Sequence, residues 1–156
     1  LHRDANTGMV TPYAVNNHGT PLFLSKRHPT VLDFLLRGFA PTVLKNLFAK
    51  RLARYEMHSE YLSNQPCDAV EIASGCCMLV RTALLQKLNG FSEDYFLYFE
   101  DFDLSVRLRA TAKITFLPEM HIVHDGGHAA RKGWWHISQF ARSGYRFFSQ
   151  HGWHWL

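Results

Sequence analysis

The chain has 156 residues, a formal charge of +4 and a pI of about 9.1. This length is enough for one domain with a hydrophobic core. No apolar run reaches the roughly 20 residues of a membrane-spanning helix, and no segment has the pattern of a signal peptide. The modest basic excess admits an anionic partner, which could be nucleic acid, the phosphates of a nucleotide-sugar or an anionic membrane surface.

The first predicted elements are short strands at residues 9–11 and 22–24, with a turn at 17–20 between them. Pro29 and Thr30 then have the character of a helix start, and the apolar spacing carries this helix toward residue 38.

A second helix is predicted to begin at Pro41, because apolar residues recur at helical spacing as far as Leu52. Its basic residues are Lys45, Lys50, Arg51 and Arg54. This basic component has two interpretations: a solvated surface, or a contact with acidic lipid head groups or an anionic acceptor.

The pattern after residue 64 alternates between strands and helices. It predicts, in order, strands at 69–72 and 76–80, a short helix ending at Gly90, an aromatic loop at 91–99, a helix through Leu104 and Leu108, strands at 114–117 and 121–123 separated by Pro118, and a helix at 134–150. This mixture indicates an α/β or α+β class.

Two sets of side chains have the chemistry of metal ligands. The cysteines are Cys67, Cys76 and Cys77. Their odd number and the lack of a C-x-x-C motif favour buried thiols in a reducing compartment over a zinc or redox site. His121, His124 and His128 would line one face of a helix, but two glycines and strand-like neighbours argue against a helix there. We interpret His136, His151 and His154 as ordinary packed or surface residues.

Three acids stand at the predicted start of the helix through Leu104, where free N–H groups favour an ionised carboxylate: Glu100, Asp101 and Asp103. Such a carboxylate can accept a proton from an attacking sugar hydroxyl. Simple helix capping explains the acids equally well. The preceding aromatic residues, Tyr98 among them, could stack on a sugar ring or pack in the core.

These motifs together resemble family 2 glycosyltransferases, and most closely their bacterial rhamnosyltransferase-like branch. The similar segments are a Ser-Gly strand ending in Arg at 74–81, an Asn-Gly-Phe-Ser-Glu loop at 89–93, the aromatic Glu-Asp-Phe-Asp-Leu segment at 98–104, Pro118, and a His followed by small residues at 124–127. The resemblance spans roughly residues 9–153. Asn89, Ser92 and Ala129 depart from the usual pattern of the family.

The resemblance implies an α/β fold: the C-terminal, acceptor-side half of a GT-A glycosyltransferase, with a mixed sheet and flanking helices. No Asp-x-Asp motif precedes residue 74. We therefore expect residues 1–156 to form a single partial domain without the N-terminal nucleotide-binding half, and to be inactive alone. The apolar surface left by that missing half favours self-association.

The resemblance also implies the roles of individual residues. Asp101 matches the general base, and Glu100 is its partner in the motif. Asp103 is a third acid with a structural or acceptor-binding role, and Tyr98 is a second candidate for acceptor binding. His124 matches a histidine that completes a divalent metal site in some family members. The last match is a basic pair suited to the donor phosphates, Arg131 and Lys132.

The implied function is an inverting transfer of a sugar from a nucleotide-sugar donor to a glycan or lipid-linked acceptor, in the synthesis of cell-surface polysaccharide. The branch suggests rhamnose as the sugar and Mg²⁺ or Mn²⁺ as the cofactor. We expect a cytoplasmic protein at the inner face of the membrane, with peripheral membrane contact and no nucleic acid partner. The alternative is a non-catalytic basic module that binds nucleic acid or an anionic membrane surface.

Overall fold

The computed structural model describes residues 4–125 and 133–156. The strands are β1 (Thr7–Val15), β2 (Pro21–Leu22), β3 (Ser25–Lys26), β4 (Cys67–Val70), β5 (Ile72–Ala73), β6 (Leu79–Val80) and β7 (Lys113–Val123). The helices are α1 (Val31–Phe39), α2 (Thr42–Leu47), α3 (Ala49–Tyr55), α4 (His58–Ser63), α5 (Thr82–Lys87), α6 (Glu100–Arg109) and α7 (Gly133–His151).

A mixed sheet forms the centre of the fold. Strands β1 and β7 pair in parallel, β4 lies antiparallel beside β7, and β2 and β6 both pair antiparallel with β1. Strands β3 and β5 form a separate antiparallel pair. The helices flank these sheets, so the expected α/β class with a mixed sheet is confirmed.

Strand β7 corrects one prediction. The sequence predicted two strands separated by Pro118, whereas the structure has one strand from Lys113 to Val123. Its pairing with β1 shifts in register between Pro12 and Tyr13. This irregularity accommodates Pro118, which has no N–H to give to a regular ladder.

Two other predicted elements differ from the structure. The helix predicted from Pro41 is divided into α2 and α3 at Phe48, and α4 follows as an additional short helix. The strand predicted at 76–80 is reduced to β6, because residues 75–77 form a turn. This turn leaves Cys76 exposed, and Cys67 and Cys77 are only half-buried, so the expectation of buried thiols was wrong.

Two hydrophobic clusters hold the layers together. The first joins the sheet to α4 and α6, and its buried members include Met9, Tyr61, Leu104, Leu108 and Phe116. The second is almost entirely aromatic and joins α1, α6 and α7: Tyr95, Phe99, Phe147 and Phe148, with Phe34, Phe102 and Phe140 packed against them. Helix α6 belongs to both clusters, so its N-terminal end is held from two sides.

Among the described residues, no helix combines the length and the hydropathy that are needed to cross a lipid bilayer.

Candidate active site

The backbone bends sharply just before α6. Tyr98 and Phe99 have φ values of 66° and 67°, in the left-handed region that bulky residues seldom occupy. Each such residue costs about 1–3 kcal/mol, and surrounding contacts must hold it in place. Here the Phe99 ring is buried against Phe102, Phe140 and Phe147. The aromatic cluster therefore maintains a strained entry that sets the direction of Glu100 and Asp101.

Hydrogen bonds hold Asp101 at the end of the two-stranded sheet that β3 and β5 form. Its Oδ2 accepts a 2.8 Å hydrogen bond from the N–H of Gly75, and its Oδ1 accepts one of 2.9 Å from the N–H of Phe102. Its carbonyl accepts from the Ser105 hydroxyl, which itself accepts from the N–H of Ala73. Ser105 therefore ties the first turn of α6 to β5 and fixes the position of the carboxylate.

The approach at residue 75 is tight and favours glycine. A Cβ at this position would lie 3.3 Å from the Asp101 Cβ and 3.5 Å from its Oδ2. The Ser-Gly segment that carries the sequence resemblance therefore has a direct structural role, because it lets a backbone N–H reach the carboxylate.

The pKa of Asp101 is raised from its ordinary 3.8 to about 6. Burial is the main cause, the hydrogen bond from Gly75 opposes it, and the charge of neighbouring Glu100 adds to the rise. A carboxylate with this pKa is still mostly ionised at neutral pH and is a stronger base than an exposed aspartate. These properties suit general base catalysis.

Glu100 stands next to Asp101 with unused bonding capacity. Its Oε2 is buried and has no hydrogen-bond partner among the described residues. A buried carboxylate oxygen without a partner is unfavourable, so such groups are uncommon outside functional sites. Glu100 therefore has bonding capacity that the described residues do not use.

The hydrogen-bond partners of the Asp103 carboxylate lie inside the protein. The carboxylate is buried, with Oδ2 accepting from Arg107 Nε at 2.7 Å and Oδ1 lying 2.9 Å from His151 Nε2. Arg107 also donates to the carbonyls of Leu88 and Gly90. This geometry gives Asp103 a structural role, because it joins α6 to α7 and to the 88–90 turn. Its acceptor-binding role stays a prediction.

Tyr98 packs against α7. Its hydroxyl lies 2.9 Å from His136 Nδ1, and its ring makes an edge contact with Phe140. A polar cleft of about 470 Å³ opens between the aromatic loop and α7. Its lining residues are Glu93, Asp94, Phe96, Gln139, Arg142, Ser143 and Arg146. The Phe96 ring is 80% exposed. The acceptor-binding role of Tyr98 stays a prediction.

His124 directly follows the last residue of β7. Its backbone N–H bonds to the carbonyl of Val15 at the end of β1. Asp125 comes next and accepts from the side-chain amide of Asn17. In the described ranges, no hydrogen bond or ion pair links His124 with Glu100 or Asp101. Arg131 and Lys132 lie outside the described residues.

The described residues by themselves do not test the expected divalent metal, which the sequence assigned to the complete enzyme. Within residues 4–125 and 133–156, no group of three His, Cys, Asp or Glu side chains could hold an ion. Mg²⁺ is usually bound by one or two carboxylates, several waters and the phosphates of a substrate, so a complete site would need ligands beyond His124.

Sequence reasoning missed one buried cation near the site. Lys26 is largely buried, donates from Nζ to the carbonyl of Phe23 and lies over the Tyr55 ring. Burial and nearby Arg37 lower its pKa to about 7, while the charges of Glu56 and Asp101 oppose that change. Nothing local marks it, because a lone lysine in a strand usually faces solvent.

Comparison with known proteins gives two informative similarities. Rhamnosyltransferase WbbL from Escherichia coli strain K12 is 34% identical over 79 residues, which is 47% of this chain and 30% of that protein. The N-acetylglucosaminyl-diphospho-decaprenol L-rhamnosyltransferase of Mycobacterium tuberculosis strain CDC 1551 / Oshkosh is 33% identical over 84 residues, or 51% of this chain and 27% of that protein. The match thus spans less than a third of the length of these curated relatives.

No family model matches the chain, and no solved structure matches it. The two similarities do not favour a non-catalytic basic module. They support a glycosyltransferase-like relationship for this chain.

Proposed function

We propose that this chain is the acceptor-side half of an inverting family 2 glycosyltransferase of the GT-A type, with Asp101 as the general base. The observation that carries the proposal is the Asp101 carboxylate, held by Gly75 at a strained helix start with its pKa raised to about 6. The similarity to two rhamnosyltransferases supports this reaction class and makes rhamnose the sugar to test first.

In the proposed reaction, an acceptor hydroxyl oxygen attacks the anomeric carbon of the nucleotide-sugar. The bond from that carbon to the diphosphate oxygen breaks, and the nucleoside diphosphate leaves with the electron pair. Asp101 takes the hydroxyl proton as the new glycosidic bond forms. Each of its oxygens accepts one backbone hydrogen bond, so lone pairs remain available for this proton.

Glu100 and the cleft would position the acceptor. The free Oε2 of Glu100 can accept a second hydrogen bond from the acceptor. The exposed Phe96 ring can stack on a sugar face, and Arg142 in the same cleft can meet an anionic group of a glycan or lipid-linked acceptor. Holding the hydroxyl in line with the donor contributes a large part of the rate in such a reaction.

A divalent ion, Mg²⁺ or Mn²⁺, would neutralise the leaving diphosphate. His124, Arg131 and Lys132 remain proposed contacts on that donor side. Because the described residues alone cannot hold the ion, the proposal requires further ligands from elsewhere in the enzyme.

The test is sugar transfer by the intact enzyme that carries this sequence. Asp101→Asn should lower the turnover by roughly 10²–10⁴-fold, the usual contribution of a general base. Asp68→Asn is the matched control, since Asp68 is an exposed carboxylate on β4 whose partners, Lys113 and Thr115, lie outside the cleft. The wild-type rate should also fall as the pH drops below about 6, where Asp101 becomes protonated. Near-normal turnover in Asp101→Asn would refute the assignment.

A further inference from the structure

The segment from residue 34 to residue 55, which we call the α1–α3 surface, is basic throughout. It contains five basic residues and no Asp or Glu. Arg37 pairs with Glu56, and Arg51 pairs with Asp33. In the part of the chain that the structure describes, the other three cations have no carboxylate partner: Lys45, Lys50 and Arg54. The surface therefore keeps a net positive charge after its internal ion pairs are counted.

The same surface exposes apolar side chains. Helix α2 buries none of its residues, and Val43 and Leu47 are 80% and 77% exposed. These two residues are four positions apart and so share one face of the helix. Leu35 and Leu44 are also exposed. Exposed apolar side chains on a segment that also carries cations without carboxylate partners are typical of helices that lie in a membrane interface.

Charge complementarity decides between the partners that such a surface could take. A second copy of this surface would bring like charges together, which opposes pairing. A nucleic acid would meet the cations but leave Val43 and Leu47 in water. An anionic bilayer satisfies both features, because lipid phosphates attract the cations and the acyl boundary receives the apolar side chains.

We propose that the α1–α3 surface docks the protein on an anionic phospholipid bilayer. Val43 and Leu47 enter the head-group region, and Lys45, Lys50 and Arg54 contact lipid phosphates.

The α1–α3 surface packs against residues that flank the candidate active site. Phe34 of α1 packs against Phe99 and Phe102, with ring centroids 5.1 Å and 5.8 Å apart. Those two residues flank Glu100 and Asp101. Docking would therefore hold the base at a defined place relative to the membrane, although the proposal does not depend on the catalytic assignment.

The experiment is co-sedimentation of the purified protein with vesicles. One set contains phosphatidylcholine with one-third phosphatidylglycerol, and the other contains phosphatidylcholine alone. We expect binding to the anionic set that weakens with added salt, because salt screens the attraction. Equal binding to both sets, or no binding to either, would overturn the proposal.

Two variants locate the surface. Lys50→Gln with Arg54→Gln should weaken partitioning by about fivefold per charge removed. Val43→Ser with Leu47→Ser should weaken it by about tenfold, through the lost apolar contact. All four side chains are exposed, so folding should persist, and circular dichroism checks this.

Matched controls lie on other elements. Lys87→Gln removes an exposed charge from α5, and Leu62→Ser removes an 82% exposed leucine from α4. Both should bind vesicles like the wild type. Equal losses in controls and test variants would refute the location. If Val43→Ser with Leu47→Ser abolished self-association in light scattering but left vesicle binding unchanged, the surface would be a protein interface instead.

Discussion

The raised pKa of Asp101 has a measurable consequence for stability, quite apart from catalysis. Burial and Glu100 move this pKa from 3.8 to about 6 in the folded protein. A carboxyl group with a raised pKa binds its proton more tightly when the protein is folded. Its favourable contribution to stability is therefore present below pH 3.8 and is lost as the pH rises through 6.

The magnitude follows from the pKa change. Because one pKa unit corresponds to about 1.4 kcal/mol, the ionised Asp101 destabilises the fold at neutral pH by about 3 kcal/mol relative to its protonated form. Asp101→Asn removes this titration. We expect the variant to gain about 3 kcal/mol on the wild type between about pH 3 and pH 8. The substitution also alters the hydrogen bonds of the carboxylate. That effect changes the stability by the same amount at every pH, so it does not alter this gain.

The assay is urea denaturation followed by circular dichroism, with the wild type and the variant measured side by side at each pH. Taking their difference cancels the titration of all other groups. Asp68→Asn is a control of opposite sign, because the hydrogen bond from Thr115, aided by Lys113, lowers the pKa of Asp68. The free energy of unfolding of that variant, relative to the wild type, should decrease as the pH rises. If the stability difference between Asp101→Asn and the wild type did not change with pH, the folded protein would not raise the pKa of Asp101.

Two further substitutions test how the site is held. Gly75→Ala places a methyl group 3.3 Å from the Asp101 Cβ, so transfer should fall by roughly tenfold and the acidic limb of the pH–rate profile should move to higher pH. The control is Gly38→Ala, whose methyl group meets no atom within 4 Å and should leave the profile unchanged. A pH–rate profile that moves in neither variant would contradict the role given to Gly75. Asp103→Asn breaks the buried contacts with Arg107 and His151. The free energy of unfolding measured in urea should fall by about 3–5 kcal/mol, and the KM for the acceptor should not rise. A raised KM at unchanged stability would instead favour an acceptor-binding role for Asp103.

Local signals in the sequence were enough to place most helices. Thr30 caps α1 and forms a reciprocal capping box with Asp33, so the predicted start at Pro29 and Thr30 is confirmed. The acids at residues 100–103 begin α6, and the aromatic, basic pattern near the C-terminus forms α7. Such signals operate within one or two helical turns. The same patterning sufficed for the mixed α/β class, while the catalytic roles remain predictions.

The arrangement of the site depended on contacts between residues far apart in the chain. Gly75 reaches Asp101 across 26 positions, and His151 reaches Asp103 across 48. Neither pairing has a local sequence signature, because each arises only when α6 is packed between the small sheet and α7. Local sequence chemistry therefore determined which carboxylates could act. Tertiary packing decided that the pKa of Asp101 is raised and that Asp103 is bound within the structure, because burial and partners set the free energy of each charge.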